Sequence, residues 1–208
     1  MTQNYPWLKS YPPGVPAEID HSIYPSLVDL IDEGLTKHRA KPAYVFMGKQ
    51  FSFGDIDQGS KAFAAYLQTL GLAKGDRVAV MLPNVPQYPV AVMAILRAGF
   101  VVVNVNPLYT PRELQHQLSD SGARAIIILE NFAHVLQQVL ASTPVQHIVL
   151  AAMGDTLGFL KGGIVNHVVR KVKKMVPAFD LPKAVRYKEA MSRGAQGRYT
   201  AAQPGPED

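Results

Sequence analysis

The sequence predicts an α/β fold of three layers, in which a mostly parallel sheet carries helices on both faces, with an N-terminal arm and a small β-hairpin added. Segments with helical spacing alternate with apolar runs, and this alternation is typical of a parallel sheet that is covered on both faces. The 208 residues suffice to bury one core, and the chain has no cysteine for disulfides. The four apolar runs that indicate strands are 77–82, 100–105, 125–129 and 147–151.

The two ends of the chain differ from its middle. Four prolines within residues 1–20 predict an extended N-terminal arm that lies on the body of the protein. Residues 193–208 are rich in Gly, Ala, Gln and Pro, which predicts a linker or a frayed end. We therefore expect an N-terminal α/β subdomain over 21–192, with a basic amphipathic insertion at 155–180. Its first helix is predicted over 26–38, where apolar residues recur at helical spacing.

A hairpin precedes the predicted sheet. Its strands are expected at 44–47 and 50–53, and the connection Gly48-Lys49 between them suits a tight turn with glycine first. The next helix is predicted to open at Ser52 or Gly54 and to close at Gly71.

The helices between the strands are predicted at 86–98, 111–121 and 132–141. The second of them has a strong start signal, because Thr110 and Glu113 form a capping-box pattern around Pro111. We interpret this junction as a helix start without a chemical role.

The net positive charge lies in the C-terminal part of the chain. Basic and acidic residues balance over 1–150, so the formal net charge of +5 lies entirely in 151–208. This distribution argues against a nucleic-acid-binding body and indicates a local basic patch. No apolar run approaches the roughly 20 residues of a membrane-spanning helix, and the N-terminus lacks the apolar region of a signal peptide. We therefore expect a cytoplasmic protein.

A search for catalytic motifs finds none. The sequence contains no GxGxxG, no GxxxxGK[ST] and no GxSxG pattern. Its six histidines are scattered, without the spacing that places two metal ligands on one helix face. The residues alone therefore assign no catalytic, cofactor-binding or metal site.

Part of the sequence resembles a known family. The form NPLYTPREL at 106–114 is most similar to bacterial long-chain fatty-acid–CoA ligases, which belong to the adenylate-forming, AMP-binding superfamily. The resemblance covers roughly 20–150 strongly and the remainder weakly. It departs at 51–56, where the family has a Tyr and a Glu-Leu pair and this chain has FSFGDI. The segments that carry the resemblance are 71–84, 94–99, 104–114 and 118–123.

The resemblance implies a ligase that uses ATP and Mg to form a fatty acyl-adenylate and then passes the acyl group of a long-chain fatty acid to CoA. In that family the phosphate loop, the magnesium-binding acid and the catalytic lysine come later in a longer chain. We therefore expect this chain to be an N-terminal fragment that is inactive alone, and the resemblance also implies a homodimer surface. Two alternatives stay open: a stand-alone α/β binding or membrane-interaction module, and an adenylate-forming ligase for an aryl, short-chain or amino acid.

A basic segment near the C-terminus carries its own hypothesis. No acidic residue lies between Thr156 and Phe179, and apolar residues from Ile164 to Val176 fall on one side at helical spacing. Such a helix either lies on an anionic membrane surface, at the inner membrane, or packs its apolar side on the parent enzyme. The candidate membrane-contact residues are Lys161, Arg170, Lys171, Lys173 and Lys174.

Overall fold

A computed structural model describes residues 5–20, 22–202 and 204–205 of the chain. The α-helices are α1 (Leu27–Lys37), α2 (Phe53–Leu67), α3 (Gln87–Arg97), α4 (Pro111–Ser121), α5 (Ala133–Val139), α6 (Phe159–His167) and α7 (Tyr187–Gln196). The strands are β1 (Pro42–Phe46), β2 (Lys49–Ser52), β3 (Arg77–Met81), β4 (Val101–Asn104), β5 (Ala125–Leu129), β6 (His147–Ala151) and β7 (Val185–Arg186). A π-helical turn, Val168–Val172, continues α6.

Five of the strands form a parallel sheet in the order β4-β3-β5-β6-β7. Along β3, Val78 and Val80 enter one apolar cluster, with residues of α2 and α3, whereas Ala79 and Met81 enter another, with residues of α4 and α5. Side chains alternate between the faces of a strand, so the two clusters lie on opposite faces of the sheet. The predicted three-layer α/β fold is therefore confirmed.

The hairpin β1-β2 forms, but its turn lies one residue earlier than predicted. Phe46 pairs with Lys49, so the two turn residues are Met47 and Gly48, and both have positive φ, 47° and 75°. Positive φ at both positions is typical of a type I′ turn, which follows the twist of the strands. In this register Phe46 and Phe51 both reach the core, and a shift by one residue would turn them away.

The predicted capping signals are confirmed at two helices. Ser52 and Asp55 form a capping box at the start of α2, and Thr110 and Glu113 form one at the start of α4. In each pair the hydroxyl accepts from one backbone N–H while the carboxylate accepts from another, so two otherwise unpaired donors are satisfied.

The two ends of the chain hold more regular structure than predicted. Pro6–Ser10 forms a short 3₁₀ helix within the arm predicted to be extended, and proline is tolerated at the first position of such a turn. The helix α7 continues to Gln196, so the linker predicted from residue 193 begins inside a helix. Beyond it, the Ala202 N–H donates to the Arg97 carbonyl oxygen at 3.1 Å. Residues 1–4 of the predicted arm, and 203 and 206–208 of the predicted tail, lie outside the described residues. The domain division itself stays a prediction.

A buried ionic cluster joins α1, α2 and α3. The Arg97 side chain is 1% exposed, and its Nη2 lies 2.7 Å from Asp57 Oδ1 while its Nε donates to Asp32 Oδ1 at 3.1 Å. Lys61 Nζ lies 2.8 Å from the same Asp57 carboxylate. Burial acts to raise the pKa of Asp57, but hydrogen bonds from Lys61 and Arg97 outweigh it and hold this pKa below its ordinary value. Each buried charge in this cluster has a partner of opposite sign.

Candidate functional site

The helix α6 lies close to the loop that follows β6. Gly154 and Gly162 approach so closely that a Cβ atom on either would collide with the carbonyl oxygen of the other. The Gly154 N–H also donates to Asn166 Oδ1 at 2.7 Å, and Asn166 is buried. The side of α6 that contacts the protein body therefore consists of small and polar residues, and both glycines are needed for this close packing.

Two of the five predicted basic residues have partners within the protein. Lys161 Nζ donates to the Met47 carbonyl oxygen in the hairpin turn. Arg170 donates to both oxygens of the buried Glu130 carboxylate, at 2.8 and 2.9 Å, and Arg186 donates to the same group at 3.0 Å. These hydrogen bonds to the Glu130 carboxylate raise the pKa of Arg170 above its ordinary value. Lys161 and Arg170 thus anchor the segment to the hairpin and to the end of β5.

The other three predicted basic residues, Lys171, Lys173 and Lys174, are exposed. They make no ion pair with any residue that the structure describes. The π-helical turn and a positive φ of 49° at Lys174 end the helix here, so these lysines follow one another along an irregular surface segment. The structure therefore places a compact, unpaired positive charge at 171–174.

The apolar side chains of the segment are mostly on the surface. Val169 is buried, but Ile164, Val172 and Met175 are 57%, 66% and 50% exposed. The sequence pattern missed the most exposed pair in this segment, Phe159 and Leu160, which are 96% and 75% exposed. The signal that could have revealed them is their position in the first turn of α6, directly after Gly158 with its φ of 89° and ahead of the predicted apolar side.

A buried and a partly buried carboxylate follow neighbouring strands of the sheet. Glu130 comes directly after β5, and Asp155 comes shortly after β6. Asp155 Oδ2 accepts from the Ala152 N–H at 2.7 Å, and Lys188 Nζ lies 3.9 Å from its other oxygen. Burial nevertheless raises the pKa of Asp155. Both carboxylates are held by the groups around them, Glu130 by two arginines and Asp155 by a backbone donor and a lysine.

A cavity of about 340 Å³ lies between the hairpin, α2 and α7. Asp155 and Lys188 line it, as does Lys49, which donates to the Thr156 carbonyl oxygen at 2.6 Å. Burial raises the pKa of the Tyr187 phenol in its wall, so this phenol stays protonated. The cavity offers polar groups but no phosphate-binding loop.

The described residues include no group of three or more His, Cys, Asp or Glu side chains that could hold a metal ion. No helix within 5–20, 22–202 and 204–205 is both long and apolar enough to cross a membrane.

Comparison with known proteins gives a consistent match. The profile of the AMP-binding enzyme family matches residues 31–196. A long-chain-fatty-acid–CoA ligase of Escherichia coli O6:H1 is 52% identical over 203 residues, which are 97% of this chain and 36% of the relative. The chain thus spans about a third of the length of such relatives.

Solved structures match in fold. An anthranilate–CoA ligase bound to anthranoyl-AMP superposes with a TM-score of 0.68 at 17% identity, over 87% of this chain and 30% of its own. A long-chain-fatty-acid–CoA ligase from Archaeoglobus fulgidus superposes with a TM-score of 0.54 at 26% identity, over 67% of this chain and 29% of its own. The parallel sheet with its surrounding helices is therefore shared with these enzymes.

Proposed function

Because the chain belongs to the AMP-binding enzyme family, we propose that it forms the N-terminal part of a ligase that joins long-chain fatty acids to CoA. The observation that carries this proposal is the identity of about half of its residues with an enzyme named for that reaction. The same identity favours a long-chain fatty acid over the aryl, short-chain or amino acid substrates of the alternative interpretation.

The complete ligase would use ATP, Mg and CoA. The fatty acid carboxylate attacks the α-phosphorus of ATP and releases pyrophosphate, and the CoA thiol then attacks the mixed anhydride and releases AMP. The described residues lack both a phosphate loop and a group of metal ligands. In this proposal they build the sheet and the helical layers on which later parts of the ligase rest, and the chain alone binds no cofactor and performs no reaction.

The test compares two proteins. The 208-residue chain, mixed with ATP, magnesium and a long-chain fatty acid, is expected to release no pyrophosphate, whereas the ligase extended beyond Asp208 forms acyl-CoA when CoA is added. Turnover by the short chain would contradict the proposal. A reading frame that ends at Asp208 in the source cells would favour a stand-alone binding module instead.

We also propose peripheral binding to the cytoplasmic face of the inner membrane through the segment that holds Lys161, Arg170, Lys171, Lys173 and Lys174. The last three would meet lipid, while Lys161 and Arg170 hold the segment on the protein. The exposed, unpaired lysines at 171–174 support it, because each basic residue near an anionic surface contributes about 1 kcal/mol. Flotation with anionic but not with neutral vesicles is expected, and Lys173→Glu with Lys174→Glu should abolish it. Equal behaviour on both kinds of vesicle would exclude this electrostatic binding.

Two further proposals about partners follow from the family. We propose that the complete ligase is a homodimer and that it binds no nucleic acid, since the net positive charge of this chain lies in residues 151–208. Light scattering of the ligase tests the first statement, and a gel-shift assay at physiological salt tests the second.

A further inference from the structure

The helix α6 reverses the usual arrangement of a surface helix. A helix on a soluble protein normally turns its apolar residues toward the core and its polar residues toward water. Here Gly162 and Asn166 face the protein body, whereas Phe159, Leu160 and Ile164 are 96%, 75% and 57% exposed. At about 100° per residue, Leu160 and Ile164 share the side of the helix that lies away from Gly162, whereas Phe159 lies nearer the side of Gly162 but is exposed in the first turn. The apolar residues are therefore presented outward.

The hairpin turn lies beside this apolar side. Lys161 reaches the Met47 carbonyl oxygen, and Lys49 reaches the Thr156 carbonyl oxygen at 2.6 Å, so two lysine contacts hold the turn against the start of α6. Met47 is itself 46% exposed. We define the docking patch as Phe159, Leu160 and Ile164 together with Met47.

Positive charge continues from the docking patch along the same segment. Exposed Val172 and Met175 alternate with Lys171, Lys173 and Lys174, and no acidic residue occurs between Thr156 and Phe179. Protruding apolar side chains beside unpaired lysines match the interface of an anionic bilayer, where acyl chains lie under phosphate groups. An acidic protein groove would satisfy the lysines, but a side chain that is 96% exposed also needs a partner that surrounds it from all sides.

From this geometry we infer that the docking patch inserts into the headgroup region of an anionic membrane, with Phe159 and Leu160 as the inserting residues and the lysines at 171–174 on lipid phosphates. The inference rests on the proposed membrane association and adds to it which side chains leave water. The five basic residues are not equivalent here, because Lys161 and Arg170 position the segment instead of meeting lipid.

Site-specific fluorescence tests the insertion directly. The chain has no cysteine, so Leu160→Cys provides a single attachment point for an environment-sensitive dye, and Gln115→Cys on the exposed side of α4 provides the control. With vesicles of equal phosphatidylcholine and phosphatidylglycerol, emission is expected to shift to the blue and to be quenched by nitroxide lipids at position 160 but not at 115. A dye at 160 that stays in water while the chain floats with the vesicles would overturn the insertion and leave the association intact.

Substitution provides an independent measure. Phe159→Ser with Leu160→Ser is expected to weaken vesicle binding about tenfold or more, since the variant removes less apolar surface from water when it binds. Leu108→Ser is the matched control, because Leu108 is 83% exposed and lies before α4. Equal loss in both variants would contradict the inference, whereas failure of the unmodified chain to float would refute the membrane association itself.

The same dye in the complete ligase distinguishes whether lipid or later residues of the enzyme cover the docking patch. The dye at position 160 is expected to remain quenchable by aqueous iodide when no vesicles are present. Protection from iodide in that state would mean that later residues of the ligase cover the docking patch, and this outcome would overturn the inference.

Discussion

Basic side chains serve different purposes in two regions of this molecule. In the cluster between α1, α2 and α3, Arg97 is almost fully buried and contacts two carboxylates. In the segment 156–179, three exposed lysines have no carboxylate partner among the described residues. The first arrangement satisfies its charges internally, whereas the second leaves them unpaired among the described residues. Charge pairing therefore separates a structural cluster from the proposed membrane-binding surface.

Glu130 forms the boundary between these two arrangements. It is buried like Asp57, but the arginines that it binds are partly exposed, at 40% for Arg170 and 53% for Arg186. This carboxylate ties the basic segment to the end of β5. We therefore expect the Glu130 ion pairs to contribute less to the free energy of unfolding than the buried pairs of Arg97, but more than an exposed ion pair.

Removal of Arg97 should give the largest effect. The variant Arg97→Leu removes the buried partner of the Asp57 carboxylate, which keeps only the partly exposed Lys61 and Arg39, and breaking a buried ion pair costs about 3–5 kcal/mol. The free energy of unfolding in urea measures this loss. Arg193→Ala is the control, because Arg193 forms an exposed pair with Glu189 that contributes less than about 1 kcal/mol. Equal effects of the two substitutions would show that the buried ion pairs of Arg97 stabilise the fold no more than an exposed ion pair does.

Removal of Glu130 should have a smaller effect. In Glu130→Ala both guanidinium groups can turn to water, so we expect a loss of about 1–3 kcal/mol in the free energy of unfolding. The segment 168–175 should also become more sensitive to protease, since its anchor is lost. Unchanged proteolysis at this segment would mean that the Gly154–Gly162 contact alone holds it.

The smallest effect concerns pH. Burial raises the pKa of Asp155, so its charged form is disfavoured in the folded protein, and stability falls as the pH rises from about 3.8 through the folded pKa. Asp155→Asn keeps an acceptor for the Ala152 N–H but does not ionise. The variant should therefore gain stability relative to the unmodified chain as the pH rises through this range. Urea unfolding at several pH values measures the difference, and a difference that is independent of pH would contradict this assignment.

Local signals predicted much of the fold. The apolar run at 125–129 and the capping box at Thr110 were placed correctly, because each depends on neighbouring residues alone. The hairpin turn was placed one residue late, since two adjacent pairs fit a two-residue loop and only the pairing of Phe46 with Lys49 decides between them. The strand β7 has two residues, which is too short for any periodicity.

The basic residues of the candidate surface were predicted, but their roles were not. Arg170 meets a carboxylate 40 positions earlier in the chain, and no local pattern reveals such a partner. The exposure of Leu160 and Ile164 likewise depends on the contact between Gly154 and Gly162, which turns the opposite side of α6 toward the protein. Spacing gives the residues of a helix face, whereas the fold decides which face meets water.

Hydrogen–deuterium exchange with and without anionic vesicles tests the contrast between the two regions most directly. The account predicts that vesicles slow amide exchange in the hairpin turn and in the segment 156–175, and leave α1, α2 and α3 unchanged. Protection that is centred on the Arg97 cluster, or spread evenly over the chain, would contradict the claim that unpaired charge and outward apolar residues mark the binding surface.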